Sequence, residues 1–327
     1  MNLKLTSTVL IKEEKAMKKS IGLLCCGLLL VSMSGCGEAK TDVSNGDTYL
    51  VKVGDKEITN SDIYNSLVAQ GNVDSITTEM NKIIASKAVK TTDEIEKTAK
   101  AQLASVKESY GDKFLSTIKS QGFKNEKDYY NNSVLVSVKS GYLTEQYIKD
   151  IFKDICDEYE VRQLEVIQIS NARNLKAATT ASKKKKADFA AIATKYGDTA
   201  TYNGTSTVYT KKSGFPEDVW NAVLDVDTKN TIVKTVKDSV TGYYYIIRVV
   251  NVDPTKFKDA AINALKTLAT SQDSASSSSS TTTTTTSTTL TISESAFNYY
   301  LNKYDYSIHD VDIYQTLLTQ SSKYKED

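Results

Sequence analysis

Histidine, proline and tryptophan are nearly absent from this chain of 327 residues, which has one histidine, two prolines and one tryptophan. A single imidazole, that of His309, rules out any site that is built from two histidines. Neither sign of charge is in excess, because the chain has 41 Lys and Arg residues and 40 Asp and Glu residues. Without a basic face that interleaves aromatic residues, nucleic acid is not an expected partner. We expect no cofactor and no metal.

The first strong pattern is a secretory signal near the N-terminus. Lys18 and Lys19 precede an apolar run over residues 21–31, and small residues follow before Cys36. The run is short for a membrane-spanning helix, which is the alternative interpretation. Residues 33–36 read Met-Ser-Gly-Cys, which resembles the bacterial lipobox. We therefore predict a signal peptide over residues 1–35, with Met17 as a candidate start, and lipidation of Cys36.

The four cysteines fit this interpretation. Cys25 and Cys26 would leave with the signal and Cys36 would hold the lipid, so Cys156 remains alone. The exported chain then has no internal disulfide, and Cys156 is expected to act as a small apolar packing residue. Acyl chains on Cys36 would anchor the chain to the extracytoplasmic face of the cell membrane.

The length allows about two domains, and the hydrophobic pattern divides the chain further. Residues 36–47 read as a polar tether and residues 48–158 as a mainly helical domain. Residues 159–253 alternate strands and helices in the manner of an α+β domain. Residues 254–272 form a helix, and the Ser/Thr tract of residues 273–291 reads as a disordered linker. Residues 292–327 regain apolar periodicity but are too few to form a stable domain alone.

Local signals place several element ends in the helical domain. Apolar and polar residues alternate around Gly54 and Asp55, which predicts a hairpin. Asn60 or Ser61 is the predicted cap of the next helix. A capping box of Thr91 with Glu94 predicts the start of another helix, which should end at Gly111. A long helix is predicted to start at Asn125.

The α+β domain opens on a strand, "VRQLEVIQI", with a period of two. Leu164, Val166 and Gln168 should face one side, and Glu165 and Ile167 the other. Glu165 thus lies in an apolar register and needs a partner, a wet pocket or a chemical role.

A single Lys-rich helix is predicted over residues 172–197. The lysines at residues 183–186 suggest either an anionic-ligand patch or, as we favour, a solvated helix face.

Several stretches together resemble the PrsA/SurA family of extracytoplasmic foldases. "LVKVGDKEITNSDIYNSL" and "YGDKFLSTIKSQGFKNEKDYYNNSVLVSVKSGYLTEQYIK" resemble its helical chaperone domain. "ADFAAIATKYG", "FPEDVWNAVL" and "GYYYIIRVV" resemble a parvulin peptidyl-prolyl isomerase domain, and "YDYSIHDVDIYQTL" resembles the C-terminal segment that completes the chaperone domain. The resemblance implies an α+β fold: a mainly helical chaperone domain, completed by the C-terminal segment, with an inserted parvulin-like domain.

The parvulin resemblance implies a set of site positions by residue-to-residue matching. The two floor histidines fall on Glu165 and Tyr245, and the acidic or thiol residue of the Gly-rich loop falls on Thr205. The apolar pocket wall falls on Phe215, Val219 and Leu224. The apolar cup is therefore expected to persist while its polar floor is replaced. A hydrogen-bonded pair of Glu165 with Tyr245 is one hypothesis for a substitute floor.

Three functions stay open at this point. The favoured one is a lipid-anchored foldase that binds unfolded or nascent exported polypeptides and has a parvulin-like module with little or no isomerase activity. An active peptidyl-prolyl isomerase is the second, and a surface lipoprotein that binds wall polymers or small ligands is the third. Whether two chains pair as a homodimer through the helical domain is left open.

Overall fold

The computed structural model describes residues 43–53, 56–197, 201–233, 235–278, 290–304 and 306–325. These described residues divide into two compact units, one made of those up to residue 80 together with those from residue 301 onward, and the other of those between residues 81 and 300. The predicted signal peptide and Cys36 lie outside the described residues.

The predicted α+β class is confirmed, because α-helices accompany antiparallel sheets. The strands are β1 (Tyr49–Val53), β2 (Lys56–Thr59), β3 (Arg162–Ile169), β4 (Thr207–Tyr209), β5 (Thr231–Ile232), β6 (Val236–Lys237) and β7 (Tyr244–Asn251). The helices up to β3 are α1 (Asn60–Ala69), α2 (Asp74–Ala88), α3 (Asp93–Tyr110), α4 (Phe114–Ser120), α5 (Glu126–Tyr129), α6 (Leu135–Gly141), α7 (Leu143–Asp150) and α8 (Phe152–Glu158). The later helices are α9 (Ala172–Ser182), α10 (Phe189–Tyr196), α11 (Glu217–Leu224), α12 (Lys258–Ser278), α13 (Ile292–Lys303) and α14 (Val311–Gln320).

The first unit contains the β1–β2 hairpin and helices α1 and α14. The two strands pair antiparallel, as the alternation predicted, while Gly54 and Asp55 themselves lie outside the described residues. The cap of α1 is Thr59 rather than Asn60 or Ser61. Thr59 Oγ1 accepts a bond from the Asp62 backbone N–H, and the Asp62 carboxylate accepts one from the Thr59 N–H. This reciprocal capping box fixes the helix start one residue earlier than predicted.

The helical part of the second unit follows the predicted order with shorter helices. Thr92, not Thr91, caps α3, since its hydroxyl accepts a bond from the Ile95 N–H. Gly111 ends that helix and Asn125 caps α5, as predicted. The expected long helix from Asn125 is broken instead: a π-helical turn, Tyr130–Val134, separates α5 from α6, and further breaks separate α6, α7 and α8.

The five-stranded sheet of the second unit has the order β4-β3-β7-β5, with β6 also pairing with β7. The predicted period of two in β3 is confirmed. Leu164 and Val166 pack with α11 on one face, and Ile167 and Ile169 pack with α9 and α10 on the other. Apolar clusters on both faces make β3 and β7 the centre of this part of the unit.

The Lys-rich segment is not one helix. Helix α9 ends at Ser182, and the lysines at 183–186 form the turn before α10. Lys186 has a positive φ of 59°, a conformation that no continuous helix contains. The predicted solvated helix face is therefore wrong, although the lysines are exposed to solvent.

Helices α12 and α13 pack against α7 within the second unit. The Tyr147 and Tyr299 rings lie 5.3 Å apart, and Tyr300 Oη donates to Asp150 Oδ2 at 3.1 Å. Lys266 pairs with Glu145 across the same interface. Burial by itself raises the pKa of Glu145, but the ammonium groups of Lys149 and Lys266 outweigh it and hold that pKa below its usual value.

The predicted disordered linker over residues 273–291 is wrong for its first residues. Residues 273–278 continue α12 as a helix. Ser293 Oγ donates to the Asp273 carboxylate at 2.7 Å, and the Gln272 side chain accepts a bond from the Ile292 N–H at 3.0 Å. These bonds to α13 stabilise a helix end that composition alone would leave disordered. Residues 279–289 lie outside the described part of the chain.

Cys156 lies in α8 and is 2% exposed, and burial raises the pKa of its thiol to about 12. Across the described residues, no helix combines the length and the apolar composition that crossing a membrane requires.

The packing of α13 predicts the cost of removing its central ring. Tyr300 is fully buried, so Tyr300→Ala should lower the free energy of unfolding by about 3 to 5 kcal/mol. Tyr110→Ala removes the same ring from a position that is 45% exposed, and should change stability by less than about 0.5 kcal/mol. Urea denaturation followed by circular dichroism measures both, and equal effects would contradict the described packing.

Candidate functional site: an aromatic cup on the β3–β7 sheet

The register of β3 against β7 determines which predicted site residues meet. Gln168 is paired with Tyr245, and Glu165 is paired with Arg248. Because side chains alternate between the two faces of a sheet, these two pairs lie on opposite faces. The structure therefore does not bring Glu165 and Tyr245 together, and the hypothesis of a bond between them is wrong.

Glu165 has a partner on the face that packs against α9 and α10. Its carboxylate forms an ion pair with Arg248, and the two side chains are 17% and 20% exposed. The Arg248 guanidinium lies 4.4 Å from the centroid of the Phe189 ring and donates to the Ala187 carbonyl at 3.1 Å. These contacts hold the arginine in place. The Glu165 carboxylate, which lies among apolar residues, is thus explained by its partner Arg248 rather than by an open pocket.

Tyr245 lies on the opposite face and is bound by a residue that the resemblance did not indicate. Gln168 Nε2 donates to Tyr245 Oη at 2.7 Å, and both side chains are buried. Burial raises the pKa of Tyr245, and the bond from Gln168 offsets part of this effect. The period of two already placed Gln168 on the same face as Leu164 and Val166, but its pairing with Tyr245 depends on the register of β3 against β7, which no local pattern contains.

The apolar wall residue Phe215 occupies the centre of an aromatic cluster on this face. Its ring stacks on Tyr202 at 5.2 Å and on Trp220 at 5.8 Å between centroids, with interplanar angles of 28° and 17°. Tyr209 and Tyr245 approach it edge-on at 5.1 and 6.2 Å. Offset stacks and edge-to-face contacts are the favourable aromatic geometries. We call these five rings the aromatic cup.

The surroundings of the aromatic cup keep it in place. The Trp220 indole N–H donates to Glu160 Oε2 at 2.6 Å. Burial, together with the neighbouring Tyr245 and Tyr209, raises the pKa of Tyr202 to about 12. The other predicted wall residues lie on α11, where Val219 is fully buried in the same apolar cluster and Leu224 packs against it. The structure thus brings the predicted wall residues together.

The predicted loop residue Thr205 is exposed at one edge of this region. Its hydroxyl and its backbone N–H both donate to Asn203 Oδ1, at 2.6 and 3.0 Å. The preceding Gly204 has a φ of 75°, and a Cβ there would lie 2.2 Å from the Phe189 carbonyl oxygen. Only glycine fits this close approach, in which the Gly204 N–H donates to the Val166 carbonyl. Thr205 is engaged in the loop itself.

The chemistry available at the aromatic cup is that of neutral groups. Its polar atoms belong to tyrosines, to the Trp220 indole and to Gln168, and the pKa values of Tyr202, Tyr209 and Tyr245 are all raised by burial. These groups therefore stay protonated near pH 7. They can donate and accept hydrogen bonds, but they carry no charge that would stabilise an amide as it twists about its C–N bond.

Comparison with known proteins gave matches among solved structures alone. No protein-family model matches the chain, and no curated protein matches it. The foldase protein PrsA from Streptococcus pneumoniae is 16% identical, with 85% of this chain and 100% of that chain covered and a TM-score of 0.30. The peptidylprolyl isomerase PrsA from Bacillus cereus is 20% identical, with 85% and 100% covered and a TM-score of 0.40. PrsA from Bacillus subtilis is 16% identical, with 84% and 99% covered and a TM-score of 0.31. Similarities of this size assign neither a family nor an activity.

The ion pair of Glu165 with Arg248, on the sheet face that packs against α9 and α10, should contribute to the stability of the fold. Glu165→Ala leaves the Arg248 guanidinium, which is 20% exposed, without its carboxylate and should cost about 1 to 3 kcal/mol of unfolding free energy. Glu96→Ala breaks an exposed pair with Lys100 and should cost less than about 0.5 kcal/mol. Chemical denaturation of both variants tests this, and an equal, small loss would contradict the structural role.

The single tryptophan of the chain reports directly on the aromatic cup. Phe215→Ala removes the ring that stacks on Trp220, so tryptophan emission should shift to longer wavelength and become more accessible to acrylamide. Phe123→Ala is the matched control, because its ring packs edge-on against Tyr129 at 5.0 Å and is not part of the cup. Emission that is unchanged in Phe215→Ala, or that changes equally in Phe123→Ala, would contradict the described stack.

Proposed function

We propose that the chain is a lipid-anchored chaperone that binds unfolded or nascent exported polypeptides at the extracytoplasmic face of the cell membrane. Its parvulin-like module acts as a scaffold with little or no isomerase activity. The proposed anchor is the lipid on Cys36, which the signal pattern and the Met-Ser-Gly-Cys sequence support. The proposal does not require two chains to pair as a homodimer.

Exposed apolar side chains of the first unit support the binding of unfolded chains. Tyr49, Leu50 and Val51 of β1 are 57%, 56% and 50% exposed, and Ile63 and Leu67 of α1 are 44% and 43% exposed. Ile63 and Leu67 lie one helical turn apart and therefore share a face. Exposed large apolar side chains on one helix face support contact with other polypeptides or membranes.

The single observation that supports a scaffold role is the position of Phe215 inside the aromatic cup. Isomerisation of a prolyl bond has a barrier of about 18 to 20 kcal/mol, and catalysis requires the twisted amide to bind better than the planar one. For a proline ring to lie among these rings, Phe215 would have to leave its contacts with Tyr202, Tyr209, Trp220 and Tyr245. The neutral Gln168–Tyr245 pair then offers less stabilisation than charged donors would.

Two alternative functions remain. An active isomerase is supported by the hydrogen bond of Gln168 to Tyr245 Oη beside Phe215, since both groups can donate to a substrate amide. A surface lipoprotein that binds wall polymers or small ligands is compatible with the Ser/Thr tract.

Two assays on the full chain separate these functions. We expect it to suppress the aggregation of a chemically denatured protein on dilution, and to give no rate above background in a protease-coupled prolyl-peptide assay. A rate above background that falls in Tyr245→Phe and Gln168→Ala would establish the isomerase instead. Absence of any effect on aggregation would overturn the chaperone proposal, and only a further absence of prolyl-peptide turnover would leave the surface lipoprotein as the remaining candidate.

A further inference from the structure

The β1–β2 hairpin of the first unit is a two-stranded ribbon whose two faces differ in polarity. Val51 is paired with Ile58, so their side chains share one face, and they are 50% and 42% exposed. Lys52 is paired with Glu57, which places both on the opposite face, where the Lys52 ammonium lies 2.8 Å from the Glu57 carboxylate. One face is therefore apolar, and the other carries an ion pair.

Two more exposed apolar side chains lie at the start of β1. Tyr49 and Leu50 are 57% and 56% exposed. The register shifts between Tyr49 and Val51, which leaves Leu50 without a partner on β2. The hairpin thus exposes four large apolar side chains on a ribbon of two strands. An exposed apolar strand at a sheet edge associates with other surfaces unless something covers it.

The chain just before the hairpin is bonded to the start of α1. The Gly46 carbonyl accepts a bond from the Ser61 N–H at 3.0 Å, and the Gly46 N–H donates to the Val43 carbonyl at 2.6 Å. A Cβ on Gly46 would clash with Ser61 Oγ, so the close approach requires glycine. The first unit is therefore ordered from Val43 onward, and only the residues before Val43 separate it from Cys36.

The proposed lipid anchor is close to the hairpin along the chain. Cys36 and Val43 are seven residues apart, and at about 3.3 to 3.6 Å for each residue this segment spans at most about 25 Å. Acyl chains on Cys36 would therefore keep Val43 within about 25 Å of the lipid headgroups. A short link of this kind gives an effective concentration of about millimolar, so contacts too weak to bind from solution become populated.

We propose that the apolar face of the β1–β2 hairpin docks on the lipid surface to which Cys36 is anchored. The four exposed apolar side chains would enter the headgroup region, and the ring of Tyr49 would lie at the membrane–water interface, where tyrosine is enriched. The inference rests on the proposed lipid anchor. It assigns the hairpin to the membrane and leaves the helix face of Ile63 and Leu67 for polypeptides.

The charges of the hairpin predict which lipids it needs. Lys52 and Glu57 cancel each other's charge on the polar face, and Lys56 is the one further charged residue of the two strands. Recognition of anionic lipids typically uses clusters of about four to eight basic residues. We therefore expect docking to depend on apolar contact and to occur on neutral and anionic vesicles alike.

Quenching by brominated lipids tests the docking. Mature Leu50→Trp chain that carries its lipid is incorporated into phosphatidylcholine vesicles whose acyl chains are brominated near the headgroup, and the wild-type emission, which comes from Trp220, is subtracted. We expect the remaining emission to fall by about half or more relative to vesicles without bromine, because docking places the added ring about 5 to 10 Å deep. Admixture of phosphatidylglycerol should leave this loss unchanged.

Matched variants show whether the apolar face is responsible. Val51→Glu, added to the Leu50→Trp chain, places a charge on that face and should abolish the quenching. Ile83→Glu changes a side chain of α2 that is 55% exposed and should leave the quenching intact. Val240→Trp places the probe at a site that is 91% exposed in the second unit and should not be quenched. Circular dichroism checks that each variant folds. Equal quenching of Leu50→Trp and Val240→Trp would overturn the assignment to the hairpin.

Flotation of the vesicles keeps this proposal distinct from the lipid anchor. If the chain floats with the vesicles and the added emission of Leu50→Trp is not quenched, the anchor stands and the docking proposal fails. A blue shift of that emission on addition of a denatured protein would then assign the hairpin to polypeptide binding. If the chain does not float, the anchor fails, and the docking proposal fails with it. The aggregation assay is independent of either result.

Discussion

The antiparallel pairing of β3 with β7 is the constraint on which the rest of the second unit depends. Each residue of β3 from Leu164 to Ile169 has one partner on β7, so the register determines the face and the neighbour of every side chain. It places Gln168 beside Tyr245 on the α11 face, and Glu165 beside Arg248 on the α9–α10 face. A shift of β3 by one residue would turn Glu165 toward the α11 face while Arg248 stayed on the other face, which would break the ion pair and place a carboxylate beside the aromatic cup.

The aromatic cup depends on this register, because the register places Gln168 and Tyr245 on the α11 face. The Gln168–Tyr245 pair on this face is neutral, so aromatic rings can pack against it. Phe215 contacts four other rings, and the Trp220 indole N–H donates to Glu160. Each favourable ring pair contributes about 0.5 to 1.5 kcal/mol beyond its buried area, so opening the cup costs several such contacts. The cup thus contributes to the stability of the second unit.

Much of the fold could be predicted from local sequence patterns, whereas the site depends on contacts between residues that are far apart in the sequence. The period of two in β3, the end of α3 at Gly111 and the cap at Asn125 were predictable because each depends on neighbours in sequence. The partner of Glu165 was not, because residue-to-residue matching to a divergent family does not fix the register of two distant strands. Likewise, nothing local indicates that residues 273–278 stay helical through bonds to a helix beyond the linker.

Side-chain NMR of the full chain tests most directly the proposal that the aromatic cup does not admit a proline ring. The Trp220 indole N–H and the Gln168 amide protons are the probes, because Trp220 stacks on Phe215 and Gln168 donates to Tyr245. Titration with a prolyl tetrapeptide should leave both sets of resonances unchanged. Saturable shifts of both, abolished by Tyr245→Phe, would show that proline enters the cup and would contradict the account.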